Sequence, residues 1–250
     1  MNDDDWRTYL DRFHDDAPGV TERMLARSHD DAGANPYQWA AAAVPPDGPV
    51  IDLACGSAPL AAHVAHDRYI GVDRSPAELR LAAERVGAGR VVQADVAHLP
   101  FADGATDTVT CLMALMLTQP LEAVQREIRR VLRPGGRLVA LVSGGKPGSV
   151  ADALRWGALL AALRVPGLRW PNPEVIGPAD EWLDDTFTIV SDEVHQFAYP
   201  INDRDSACQL IASLYLPDVA DDRIDAASRV AGSLIGRTIG VPLRRVVAQV

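Results

Sequence analysis

From Val50 to Ser143 the chain alternates short apolar runs with helix-start signals, a rhythm that few folds satisfy. Val50-Ile51-Asp52-Leu53-Ala54 reads as a buried strand. Tyr69 to Asp73 and Arg90 to Asp95 read as two more, each closing on an acid. Thr106 to Leu112 and Arg137 to Ser143 follow, the last entered through the turn Pro134-Gly135-Gly136. Between them, Ser57 to Ala65 is predicted to be a helix. Ser75-Pro76-Ala77-Glu78 starts another, with Ser75 as cap and Glu78 placed three residues on to complete a capping box. Leu121, Val124, Ile128, Val131 and Leu132 mark one apolar helical face beginning near Pro120. Strands and helices of these lengths close by right-handed crossovers into a parallel sheet covered on both faces.

The flanks read differently. Before Pro45-Pro46-Asp47-Gly48-Pro49, a stiff connector, three short helices are expected: Trp6 to Phe13, Val20 to Ala26, and one capped by Asn35 with Pro36 in its first turn. After Ser143 come a largely apolar helix, Val150 to Leu163, and a loop rich in Pro, Gly and Trp. A long strand is then predicted over Thr188 to Pro200, with helices over Asp205 to Leu214 and Asp221 to Arg237. A last strand follows Gly240-Val241-Pro242 and runs through Val250. The expected organisation is a single domain over residues 1–250, with a helical cap (1–47), a ligand-binding core (48–143), a lid insertion (144–185) and a C-terminal return to the core (186–250).

Charge and composition exclude several functions. A net charge of -10 argues against a nucleic-acid backbone as main partner. Lys146 is the sole lysine, and the arginines are scattered rather than striped. No apolar run approaches a membrane span, and the acidic start Met1-Asn2-Asp3-Asp4-Asp5 lacks the basic region of a signal peptide. Cys55, Cys111 and Cys208 are odd in number and far apart, which suits a reducing cytoplasm and gives neither a disulfide framework nor a zinc signature. His63 and His66 share a helical turn, but no further ligand converges on them in sequence. His195 alternates with apolar neighbours and reads as structural.

The chemistry concentrates where strands end. Asp52-Leu53-Ala54-Cys55-Gly56-Ser57-Ala58 closes the first strand, and its small residues let a ligand approach the backbone. The helix expected next would aim amide groups at an anionic part of that ligand. Asp73, seventeen residues beyond Gly56, is placed to accept the hydroxyls of a ribose, and Asp95 to accept from an adenine amino group.

These residues resemble the motifs of the class I S-adenosylmethionine-dependent methyltransferases of the small-molecule, UbiE-like type. Val50 to Leu60 resembles the first motif, Ile70 to Ser75 the second, and Gln93 to Val96 with Leu99-Pro100-Phe101 the third. Glu127 to Val142, with its Arg-Pro-Gly-Gly turn, resembles the helix and strand that follow. The resemblance implies a Rossmann-like α/β fold of seven strands in the order 3-2-1-4-5-7-6, the last antiparallel, with an N-terminal helical cap and an insertion after strand five. It implies S-adenosylmethionine as methyl donor, held by Asp52, Ala54, Cys55, Gly56, Asp73, Arg74, Asp95, Val96 and Met113. Ala54 and Ala58 stand where the family loop has glycines, and are expected at negative φ, where alanine is tolerated.

A dinucleotide dehydrogenase is disfavoured, because its fingerprint spaces small residues at i, i+2 and i+5, whereas here they fall at 54, 56 and 58. A hydrolase is rejected for want of a nucleophile elbow around Ser57. The acceptor is expected to be a small, apolar molecule, under a lid carrying Trp6, Tyr9, Phe13, Tyr37, Trp39, Leu154, Trp156, Leu159, Leu160, Trp170 and Trp182. His14 is the candidate general base, with Asp15 or Asp16 to orient it. The rival reading is a protein of the same fold that binds the donor, or its product, without methylating, as a cyclase-type catalyst or binding module.

Overall fold

A computed structural model describes all 250 residues. Three helices open the chain: α1 (Asp3–Asp16), α2 (Val20–Ala26) and α3 (Pro36–Ala41). Strands and helices then alternate as β1 (Val50–Leu53), β2 (Tyr69–Asp73), α4 (Pro76–Val86), β3 (Val91–Gln93), β4 (Thr106–Leu112), α5 (Leu121–Val131) and β5 (Leu132–Ser143). The remainder is α6 (Val150–Leu163), β6 (Thr188–Ile201), α7 (Arg204–Ala212), α8 (Asp221–Gly232) and β7 (Arg237–Gln249). The seven strands lie in one sheet in the order β3-β2-β1-β4-β5-β7-β6, as the resemblance implied. β1 to β5 pair in parallel, and β7 runs antiparallel to both of its neighbours.

The central strands β1, β4 and β5 are buried on both faces, so they read as near-continuous apolar runs, while the edge strands β3 and β6 are partly exposed. Along β5, Leu138, Ala140 and Val142 join the cluster beneath α5, while Leu141 joins the one formed by α2, α6 and α7. α5 contributes Leu121, Val124, Ile128 and Val131 to the first cluster, the face its periodicity predicted.

Helix α8 stops at Gly232, short of the expected Arg237, and β3 at Gln93, short of the expected Asp95; three further elements depart from expectation. The segment after β1 is a short 3₁₀ turn, Pro59–His63, in place of a helix over 57–65. Pro59 and the left-handed residue before it favour one tight turn over a continued helix. Strand β5 begins at Leu132, because Pro134-Gly135-Gly136 forms a bulge within it; Gly135 donates to Val250 there. Strand β7 starts at Arg237 and passes through Pro242. β5 pairs only from Leu243 onward, so the missing Pro242 N–H breaks no bond in that ladder.

Candidate active site

The carboxyl ends of β1, β2 and β4 and the segment after β3 open into a cleft of about 140 Å³, roofed by α1 and the start of α2. Ligands of open α/β sheets bind at this edge. Asp52, Ala54, Cys55, Gly56, Asp73, Arg74, Asp95, Val96 and Met113 all line it, as does His14.

The loop after β1 corrects the expectation of negative φ. Ala54 (φ 48°), Gly56 (φ 54°) and Ala58 (φ 60°) are all left-handed. Each alanine carries roughly 1–2 kcal/mol of strain at such angles. The loop holds that shape because its amides are engaged: Cys55 N–H donates to Val72 O at 2.9 Å, and Gly56 N–H to Asp73 Oδ2 at 2.8 Å. Ala58 N–H closes the turn on Cys55 O at 2.9 Å. The Cys55 side chain seats against Gly71, where any Cβ would lie 2.7 Å from the sulfur. With a 3₁₀ turn following, the anion-attracting helix N-terminus expected here is absent.

The three strand-end acids differ in environment. Asp52 is buried, and accepts from Thr110 Oγ1 at 2.6 Å and from the Tyr69 phenol at 2.7 Å. Burial pushes its carboxyl up to about 6 against those two hydrogen bonds. Asp52 thus ties β1 to both neighbouring strands from the floor of the cleft. Asp73 is also raised by burial, and the amides of Ser75 and Gly56 oppose the shift. Asp95 accepts from Ala97 N–H at 2.9 Å and pairs with Arg7 of α1. Arg74 pairs with Asp11 of α1 at 2.8 Å, so the roof is tethered at two points to residues lining the cleft.

His14 lies with its Nδ1 3.0 Å from Glu78 Oε1. Glu78 is buried, and both its oxygens accept from Gly19 N–H at 3.0 Å. The orienting acids expected for His14 are engaged elsewhere: Asp15 accepts from Ser75 Oγ, and Asp16 pairs with Arg12. The capping box also fails. Ser75 Oγ accepts from Glu78 N–H, but Ser75 N–H donates to Asp73 and the Glu78 carboxylate turns into the site. Its helical row offered a signal, since Glu78, Ala82 and Val86 are spaced at i, i+4 and i+8 along one buried face. Glu22 was also missed; it accepts from the Ser57 hydroxyl and pairs with Arg85.

A second cavity, about 390 Å³, lies beside the first. The two share Thr21, Met113 and Tyr215. Its walls include Met24, Leu25, Trp156, Leu160, Trp170 and Leu214, and no charged side chain lines it. Of the aromatic lid residues expected over the acceptor, Trp156 and Trp170 reach this cavity and Tyr37 reaches the cleft. Trp6, Tyr9, Phe13 and Trp182 instead pack in or against the core, Leu159 is on the buried face of α6, and Leu154 is exposed. Trp39 stacks on His195, which pairs with Asp30.

The donor set suits a hydroxyl-bearing cation. Asp11, Glu22, Asp52, Asp73, Glu78 and Asp95 line the cleft against Arg74. Carboxylates in a partly dry cleft favour a sulfonium and accept from ribose hydroxyls, while Val96 and Leu117 offer apolar surface to a purine.

A family model described as a methyltransferase domain matches residues 51–140. The chain is 34% identical over 143 residues to a demethylmenaquinone methyltransferase of Beutenbergia cavernae, covering 54% of this chain and 58% of that protein. It is 35% identical over 115 residues to a 2-phytyl-1,4-naphtoquinone methyltransferase of Synechococcus elongatus, covering 42% and 48%. The chain thus spans about half the length of the curated relatives it matches. Two solved structures share the fold. The [4+2]-cyclase SpnF superposes with a TM-score of 0.54 at 23% identity, over 85% of this chain and 78% of that one. A SAM-dependent methyltransferase of Thermotoga maritima gives 0.52 at 13% identity, over 92% and 91%.

Proposed function

We propose, from the premise that residues 51–140 form a methyltransferase domain on the class I sheet, that the chain moves a methyl group from S-adenosylmethionine to a small, largely apolar metabolite. The observation that carries this reading is the meeting of two unlike cavities. An acidic cleft and an uncharged apolar cavity share Thr21, Met113 and Tyr215, where a donor's methyl group and an acceptor's nucleophile would come together. The relatives named for quinone methylation support an aromatic hydroxy compound as the acceptor. A cytoplasmic location belongs to the same proposal; no helix is long and apolar enough to cross a membrane.

When bound, S-adenosylmethionine supplies a methyl group activated by its sulfonium. Asp73 and Asp95 would hold the ribose and adenine, the left-handed loop would let the backbone approach, and Asp52 would keep that loop in place from below. The apolar cavity excludes water and fixes the acceptor's approach, the largest contribution available to such a displacement, up to roughly 7–11 kcal/mol. His14 is the proposed base. Glu78 accepts its Nδ1–H and so leaves Nε2 as the basic nitrogen, which takes the acceptor's O–H or C–H proton as the new bond to the methyl carbon forms. Asp73 and Asp95 would hold the donor through the transfer, in which its sulfonium would supply the methyl group and keep the electron pair of the methyl–sulfur bond.

The test incubates the protein with methyl-labelled S-adenosylmethionine and a panel of hydroxynaphthalenes and alkylphenols, followed by mass spectrometry. The expected product is an acceptor heavier by one methyl group, formed one for one with S-adenosylhomocysteine. An acceptor converted with no gain in mass and no S-adenosylhomocysteine would replace this reading with the cyclase-type alternative.

A further inference from the structure

Four side-chain hydroxyls line the apolar cavity: Thr21, Ser143, Ser213 and Tyr215. Two are used within the protein. Ser213 Oγ donates to Leu210 O at 2.8 Å, and Ser143 Oγ accepts from Gly145 N–H at 3.4 Å. Thr21 Oγ1 is buried with no hydrogen bond of ordinary length, and its one polar neighbour in the cavity wall is the Tyr215 phenol, near enough for a weak contact between the two hydroxyls. A buried hydroxyl left unpaired is destabilising by about 1–3 kcal/mol unless something fills the space with a partner. These two are also the hydroxyls common to both cavities.

Their setting is rigid. Thr21 is in the first turn of α2, and Tyr215 follows α7, so two elements converge. The Tyr215 ring packs on Phe13 with centroids 4.7 Å apart, which fixes the direction of its hydroxyl. Burial raises the phenol's pKa by more than the contact with Thr21 lowers it, so the phenol stays protonated and able to donate.

We propose that Thr21 and Tyr215 form a clamp for one oxygen of the acceptor, a carbonyl or hydroxyl on an otherwise apolar frame. The clamp sets which atom of that frame faces the donor cleft. Both are positioning residues; neither exchanges a proton or touches the methyl group. The inference rests on the methyl-transfer reading for the meaning of that register, but the clamp itself is a binding property and is read without turnover.

Equilibrium dialysis of 1-naphthol and naphthalene against the whole protein isolates it, because the pair differ by one hydroxyl. Wild type is expected to hold 1-naphthol about tenfold more tightly than naphthalene. Tyr215→Phe and Thr21→Val should each bring 1-naphthol down to the affinity of naphthalene, with naphthalene binding kept within about twofold as the check that the cavity is intact. Either variant alone reads the clamp. A wild type that does not distinguish the two compounds, or a preference that survives both substitutions, overturns the proposal. Titration of S-adenosylmethionine in parallel reads the donor site alone. A naphthol preference without donor binding would end the methyl-transfer reading and leave the clamp standing.

Discussion

The Nδ1 of His14 lies 3.0 Å from Oε1 of Glu78, which joins the end of α1 to the first turn of α4 across the donor cleft. A carboxyl group facing Nδ1 favours the tautomer in which Nε2 can accept a proton. His14→Ala is expected to lower kcat by about 10²–10⁴-fold while leaving donor affinity unchanged. Glu78→Gln should lower kcat about tenfold, since the ring keeps an acceptor for Nδ1–H but loses the charge beside it. A kcat for His14→Ala matching wild type would remove the base from the mechanism.

Donor binding is expected to depend on Asp73. Asp73→Asn removes the charge but keeps one acceptor for the loop amides, so the fold should survive. Calorimetry should show S-adenosylmethionine and S-adenosylhomocysteine weakened by roughly 10–100-fold, the loss of charge-assisted hydrogen bonds to two hydroxyls. Unchanged affinity would mean that another residue takes the ribose.

The strained loop makes a stability prediction. Ala54→Gly and Ala58→Gly relieve a left-handed alanine at the expense of a more flexible unfolded chain, for a net gain of about 0.5–1 kcal/mol at Ala54 and less at Ala58, whose methyl group is buried. That corresponds to a melting temperature higher by roughly 1–4 °C. Gly56→Ala should lose a similar amount, since its Cβ meets nothing closer than Glu78 Oε2 at 3.6 Å and only the φ of 54° opposes it. Gains in melting temperature with little change in donor affinity would show that the loop already has its binding shape. Lower melting points in both glycine variants would refute the strain argument.

Asp52 predicts how stability depends on pH. Its folded carboxyl lies at about 6 against an ordinary 3.8, so between those values the folded state binds more protons than the unfolded chain. Stability from this group is therefore present below about pH 4 and lost as pH rises through 6. Asp52→Asn abolishes the titration. Relative to wild type it should gain on the order of 2–3 kcal/mol between pH 4 and pH 7.5, read by urea unfolding at both. A stability difference that does not move with pH would contradict this.

The strands most legible in sequence were β2 and β4, whose bounds match the reading at both ends. Their apolar runs are flanked by unambiguous breaks, and β2 stops at the acid that faces the ligand edge. That Asp52, Asp73 and Asp95 would meet in one cleft was legible for the same reason, because strand ends in such a sheet converge whatever the loops do. The φ of Ala54 and Ala58 was not legible: a methyl group reads as evidence for negative φ, and only the hydrogen bonds of Cys55, Gly56 and Ala58 show what holds the loop against it. Glu78 was hidden by local grammar. Its spacing from Ser75 satisfies a cap, while the amide that draws the carboxylate away is Gly19, fifty-nine residues earlier. The lid aromatics could not be sorted because Phe13 and Trp156 look alike in sequence, and only packing decides which one lines a cavity.

The absence of charge around the larger cavity bears on what leaves it. In the proposed reaction the acceptor exchanges a proton for a methyl group and departs more lipophilic than it arrived. One buried methyl group is worth about 0.8 kcal/mol, or roughly a fourfold tighter hold. The walls of Met24, Leu25, Trp156 and Leu160 therefore retain product better than acceptor. Turnover then becomes limited by escape from the site, and product accumulating in solution competes with fresh acceptor for the same apolar surface.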